Sequence, residues 1–146
     1  MAIVRSIARP MLAAVFVTGG LDALRNPGPR AKRSEPVTDM MTRSIPNLPR
    51  DPETLVRINA AVHIGTGVVF ALGKFPRLTP LVLAATLVPT TLGGHRFWEE
   101  EDAQQRAHQR THFLKNTGLL GGLLFAAAAG KGRRRRPRKS ARRKSS

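Results

Sequence analysis

Leu81-Val-Leu-Ala-Ala-Thr-Leu-Val88 and Leu119-Leu-Gly-Gly-Leu-Leu-Phe-Ala126 decide the fold. Neither run shows a polar face at helical spacing. A helix that is apolar all round is buried on every side or lies in lipid. A chain of 146 residues cannot surround several such helices with protein, so lipid is the expected surrounding. Two further apolar stretches, Pro10 to Leu24 and Ile58 to Gly73, complete a set of four.

Each uncharged core is shorter than the ~20 apolar residues that cross a bilayer, so the helices must extend beyond it. Asp51-Pro52 reads as an N-cap with proline in the first turn, and Thr79-Pro80 offers the same signal. Asp102 caps a long last helix whose first turns, Gln104 to Arg110, are polar. The expected spans are about 8–25, 55–73, 79–97 and 111–130, an all-α four-helix transmembrane bundle within residues 1–130. Arg5, Arg9 and the run Met11 to Val17 resemble a secretory leader, but without a small-x-small cleavage site they read as an uncleaved first helix.

Between the first two helices, residues Asn26 to Arg50 carry Pro27, Pro29, Pro36, Pro46 and Pro49 among many charges, and read as an extended loop. Residues 131–146 hold ten Lys or Arg and no large apolar side chain, the composition of a disordered tail. With both termini on one face, that face carries 14 of the 25 Lys and Arg, which places the termini in the cytoplasm of a plasma-membrane protein. The net charge of +16 asks for an anionic partner. Arg133, Arg134, Arg135, Arg136, Arg138, Lys139, Arg142, Arg143 and Lys144 are the candidate contacts to anionic lipid or nucleic acid, or else a topology anchor.

The chain has no Cys, which excludes thiol chemistry and Cys-ligated metal in this chain alone. Asn59 and His63 are the polar residues expected at membrane depth, where a polar group is either functional or quietly hydrogen-bonded. His108 and His112 share a helix face, but the glutamate of a zincin motif is missing, so no metal site is assigned. Haem between His63 and His112 would require their helices to face each other. Gly118, Gly122, Ala126 and Gly130 form one small-residue ridge, Ala61 with Gly65 another and Gly67 with Ala71 a neighbouring one, all suited to close helix packing; a homo-oligomer is a candidate assembly. Pro89 should kink the third span, with Thr86 or Thr90 satisfying the freed carbonyl.

Phe16-Val-Thr-Gly-Gly-Leu-Asp-Ala-Leu-Arg-Asn-Pro-Gly-Pro29, Ile58-Asn-Ala-Ala-Val-His-Ile-Gly65, Ala71-Leu-Gly-Lys-Phe-Pro-Arg-Leu78, Leu87-Val-Pro-Thr-Thr-Leu-Gly-Gly-His-Arg-Phe-Trp98 and His112-Phe-Leu-Lys-Asn-Thr-Gly118 together resemble the DoxX family of four-helix bacterial membrane proteins. The resemblance covers roughly Arg5 to Ala129. It implies a multi-pass membrane protein tied to an oxidoreductase or a redox-stress assembly, with quinone as a candidate cofactor and other redox subunits as partners. Without cysteine, a non-catalytic subunit or scaffold is expected rather than a complete enzyme. His95, Arg96 and Trp98, with His112, Lys115 and Asn116 on the last helix, are the expected polar cluster. The alternative is a membrane-anchored tether acting through its polybasic tail.

Overall fold

The computed structural model describes residues 2–130, and among these the chain is all-α, without a strand. Five helices follow in order: α1 (Ala2–Arg25), α2 (Pro27–Ser44), α3 (Pro52–Ala71), α4 (Leu78–Gly94) and α5 (Ala103–Ala128), with a 3-10 turn at Phe97–Glu99 before α5. The tail residues assigned above to an anionic surface lie outside the described residues.

Local chemistry explains most boundaries. Asp51 accepts the Thr54 N–H at 2.8 Å and the Thr54 hydroxyl at 2.5 Å, which starts α3. Those bonds from Thr54 hold its carboxyl below the usual carboxylate range. α3 ends at Gly73, whose φ of 71° closes the helix as Gly73 N–H bonds Phe70 O and Lys74 N–H bonds Val69 O. Asp102 accepts the Gln105 N–H at 2.7 Å and starts α5. Thr79, in contrast, is not a cap. α4 begins one residue earlier, at Leu78, and the Thr79 hydroxyl donates back to Phe75 O at 3.1 Å. The span expected over 79–97 ends as a helix at Gly94, leaving His95 to Trp98 in the following loop and turn.

Over Pro27–Ser44 the Pro-rich segment is a helix, not the extended loop its composition suggests; Ile45 to Arg50, with Pro46 and Pro49, is non-helical. Pro27 and Pro29 sit in the first turn, where backbone N–H groups have no intrahelical partner and proline loses nothing. Pro36 lies inside α2 and removes one bond there. Tertiary contact compensates: Pro27, Ala31 and Thr38 are buried, and α2 packs on α3 and α4. Arg30 also reaches back to Asp22 of α1 at 2.6 Å.

α1, α3, α4 and α5 run alternately up and down. Gly20 of α1 meets Ala60 and Ile64 of α3, while Gly67 of α3 meets Ala13 and Phe16 of α1. Asn59 of α3 bonds Thr90 of α4, and Asn116 of α5 bonds Thr91 of α4. Gly122 of α5 approaches Leu12 of α1 and closes the ring. Phe16, Phe70, Leu83, Leu87 and Leu123 from these four helices share one buried core. The small-residue ridges are used in part: Gly65 and Gly118 face open space, close approaches fall at Gly67 and Gly130 on the expected ridges, and Gly20 adds one outside them. Thr86 and Thr90 bond Val82 O and Thr86 O, so neither serves the carbonyl that Pro89 leaves without its helical partner, that of Ala85.

Large apolar side chains point outward on every one of these four helices, among them Ile7, Met11, Val68, Leu81, Leu114 and Phe125. Two of them, over Ile3–Arg25 and Pro52–Ala71, are long and apolar enough to cross a membrane. The bundle has two distinct ends. One carries the start of α1, the α3–α4 turn and Gly130; the other carries α2, Asp51, the 3-10 turn and the start of α5.

Candidate functional site

Polar side chains collect at the α2 end of the bundle, and α4 organises them. Its adjacent threonines, Thr90 and Thr91, point to different neighbours. Asn59 donates to the Thr90 hydroxyl at 2.9 Å, and buried Asn116 donates to the buried Thr91 hydroxyl at 3.1 Å. Each threonine hydroxyl in turn donates to the carbonyl four residues back. At this level α4 is therefore stapled to α3 on one side and to α5 on the other.

One turn further on, α4 stops. Gly93 lets α2 lie against it: a Cβ there would sit 2.8 Å from Ser34 Cβ. The His95 N–H closes the helix on Thr91 O, and the ring then turns toward α5. Its Nδ1–H donates to Oε1 of buried Gln109 at 2.8 Å, which leaves the neutral ring with Nε2 as acceptor. Burial pushes the His95 pKa below its usual 6.5 against the opposing effect of the Gln109 bond, and nearby Lys115, Arg33 and His108 push it the same way. His95 lies beyond the last residue of α4 and is partly exposed.

The His112 ring stacks on His95, with centroids 5.0 Å apart and planes 12° from parallel. His112 Nε2 lies 3.2 Å from His108 Nε2, a hydrogen bond that needs one ring as donor and the other as acceptor. Three imidazoles thus form a chain from the bundle end to an exposed edge. Among the described residues no group of three His, Cys, Asp or Glu side chains is arranged to hold a metal ion.

The remaining expected cluster members are placed less uniformly. Arg96 turns to α2, donating from Nη2 to Arg33 O at 3.0 Å, and its Nε stands 3.3 Å from the Glu99 carboxylate as an ion pair without hydrogen-bond alignment. Trp98 is half-exposed and packs edge-on with Phe97 and Phe113, beside the imidazoles rather than among them. Lys115 is exposed and contributes only its field. His63 is buried deeper, one turn below Asn59, with its ring edge-on to Phe16 and its Nε2 without a hydrogen-bond partner. It faces α1 while His112 faces His95, so the two do not form an axial pair.

Sequence reasoning overlooked Gln109, Thr91 and the backbone of Arg33. Gln109 could have been found. The inward stripe of α5 runs Asn116, Leu119, Leu123 and Ala126, and stepping back by the same spacing reaches His112 and Gln109. The Arg33 contact had no local signal, because it depends on α2 being a helix.

Residues 4–96 match the DoxX family model, about two thirds of the chain. The match takes in α1 to α4 and Asn59, His63, Thr90, Thr91, His95 and Arg96; it stops short of α5, whereas the resemblance noted above was drawn on to Ala129. No curated protein and no solved structure compared with the chain matches it. With its four apolar helices and a match across more than half its length, the chain belongs to the DoxX family of membrane proteins.

Proposed function

We propose that this protein is a four-span plasma-membrane subunit of an oxidoreductase or redox-stress assembly, holding partners rather than completing a reaction itself. Two of its helices meet the length and apolarity of a span. α4 has 17 residues, about 25 Å at 1.5 Å per residue, and is uncharged throughout. α5 has 26 residues, and its polar first turns leave an apolar second half. Outward Leu81, Val88 and Leu92 on α4, and Leu114, Leu124 and Phe125 on α5, suit lipid as well as those of the first two spans.

The observation that carries the functional reading is the His95–Gln109 bond with His112 stacked upon it. A neutral imidazole held in one tautomer, rimmed by Arg33, Arg96 and Lys115, is a docking point for a partner or headgroup that presents a donor and negative charge. Because the chain has no Cys, any reactive sulfur in such an assembly belongs to a partner or substrate. Both termini lie on the cytoplasmic side in this reading, and the imidazole cluster on the outer side.

Complementation of a deletion strain tests it. His95→Ala or Asn116→Ala should raise sensitivity to redox stress and reduce recovery of partners in mild detergent, at unchanged membrane abundance. Unaltered sensitivity and recovery in both variants would refute the reading. Deleting residues 131–146 separates the alternative, since a tether working through its tail loses function and a redox subunit keeps most of it.

A further inference from the structure

The opposite end of the bundle has a different chemistry. The α3–α4 turn, Leu72 to Arg77, lies against the first turns of α1. Arg9 reaches over the turn so closely that a Cβ on Gly73 would stand 2.5 Å from its Nη1. Arg77 donates from Nε to Gly130 O at 3.0 Å, which ties the turn to the end of α5. Lys74 and Arg77 are exposed, and none of the ion pairs among the described residues involves Arg5, Arg9, Lys74 or Arg77. All nine Asp and Glu of the chain belong to the last turns of α1, to α2, to the start of α3 or to Glu99–Asp102, at the far end. Among the described residues, the positive charge here has no acidic counterpart.

Apolar groups surround that charge. Leu72, Phe75 and Leu78 are well exposed on the turn, and Ile3, Val4 and Ile7 on α1. Phe75 is also strained, with φ of 47° immediately before Pro76. A bulky residue rarely adopts positive φ, and proline restricts the residue before it further. The surrounding structure holds this conformation and presents a ring, 65% exposed, between Lys74 and Arg77. Strain of this kind gathers at binding sites.

We propose that this end of the bundle is a binding site for anionic phospholipid, in which Arg9 and Lys74 take the headgroup phosphates and Phe75 seats in the interface between headgroups and chains. The site belongs to the bundle and does not need the basic tail. Charge complementarity selects the occupant: four cationic side chains without a carboxylate, ringed by apolar ones, match a lipid with a negative head and a hydrocarbon body. The inference rests on the membrane-spanning reading above.

The native chain has a single Trp, Trp98, at the other end, so a local reporter is simple to install. Full-length protein carrying Trp98→Phe and Phe75→Trp is reconstituted with phosphatidylglycerol or phosphatidylcholine brominated on the acyl chains. Fluorescence at position 75 should be quenched by the anionic lipid at roughly one third of the mole fraction that the zwitterionic lipid requires. Adding Arg9→Gln with Lys74→Gln, tail intact, should abolish that preference. Equal quenching by the two lipids would overturn the site while leaving the membrane reading intact. A preference that survives the double substitution would also overturn it, by assigning the effect to cations other than Arg9 and Lys74. Quenching by neither lipid would sink the membrane reading together with the site.

Discussion

Asn116 and Thr91 show how much one hydroxyl can carry. Asn116 is buried and its amide donates to Thr91 Oγ1. Replacing Thr91 with Val keeps the shape and leaves that amide without its partner, at a cost of about 1–3 kcal/mol. Thr90→Val should cost less, because Asn59 at the neighbouring staple is only partly buried and can turn to another acceptor. Thermal denaturation of the two variants in detergent checks this; equal losses would mean that burial does not discriminate the staples. His95 gives a pH dependence with a definite sign. Its folded pKa is below 6.5, so the unfolded chain binds the proton more readily. Stability contributed by the neutral ring is complete above pH ~6.5 and is lost as pH falls toward the folded pKa. His95→Gln should flatten the part of the stability profile that lies below about pH 6.5, and a profile unchanged by the substitution would contradict the assignment.

Among the elements, α1 and α3 form the tightest pair, and the glycines there divide into two kinds. A Cβ on Gly20 would stand 2.7 Å from Ile64 Cγ1 and 2.9 Å from Ala60 O, and a backbone oxygen cannot step aside. Gly20→Ala is expected to destabilise by about 1–3 kcal/mol. Gly118 faces open space, so Gly118→Ala should be neutral or stabilising by up to about 1 kcal/mol through helix propensity. Melting temperatures of the two variants in one detergent decide the matter; a reversed order would overturn the packing described. The four apolar helices and the caps at Asp51 and Asp102 were legible in the sequence because apolar runs and N-cap side chains act locally. α2 was not, because its evidence is tertiary: proline lowers intrinsic propensity, and burial of Pro27, Ala31 and Thr38 against α3 and α4 overrides it. Thr79 misled for a related reason, since its hydroxyl had a carbonyl at Phe75 to bond in place of a cap. Pro36 remains a weak point on the exposed side of α2, and Pro36→Ala should stabilise the protein by about 1–3 kcal/mol.

At the scale of the whole molecule, chemistry is divided between two ends. The end with α2 gathers the staples, the imidazoles and all the carboxylates. The end with the α3–α4 turn gathers unpaired cations and exposed apolar side chains. That division fits a chain set across a bilayer, and the four crossings proposed above would put the two ends on opposite sides of it. The imidazole cluster was partly legible, in that His95, His112 and Asn116 fall at one end. Their order along α4 and α5 was not, because it depends on where α4 stops and on Gln109, an unremarkable residue until its helix face is known.

The absence of native cysteine makes the most direct test of that arrangement straightforward. Single substitutions Ser44→Cys, Lys74→Cys, Glu100→Cys and Ser140→Cys are labelled in intact cells with a membrane-impermeant maleimide, then again after permeabilisation. The four-span account predicts labelling at positions 44 and 100 in intact cells, and at 74 and 140 only after permeabilisation. Labelling at positions 44 and 74 from the same side would contradict it, because the two ends of α3 would then share one face of the membrane.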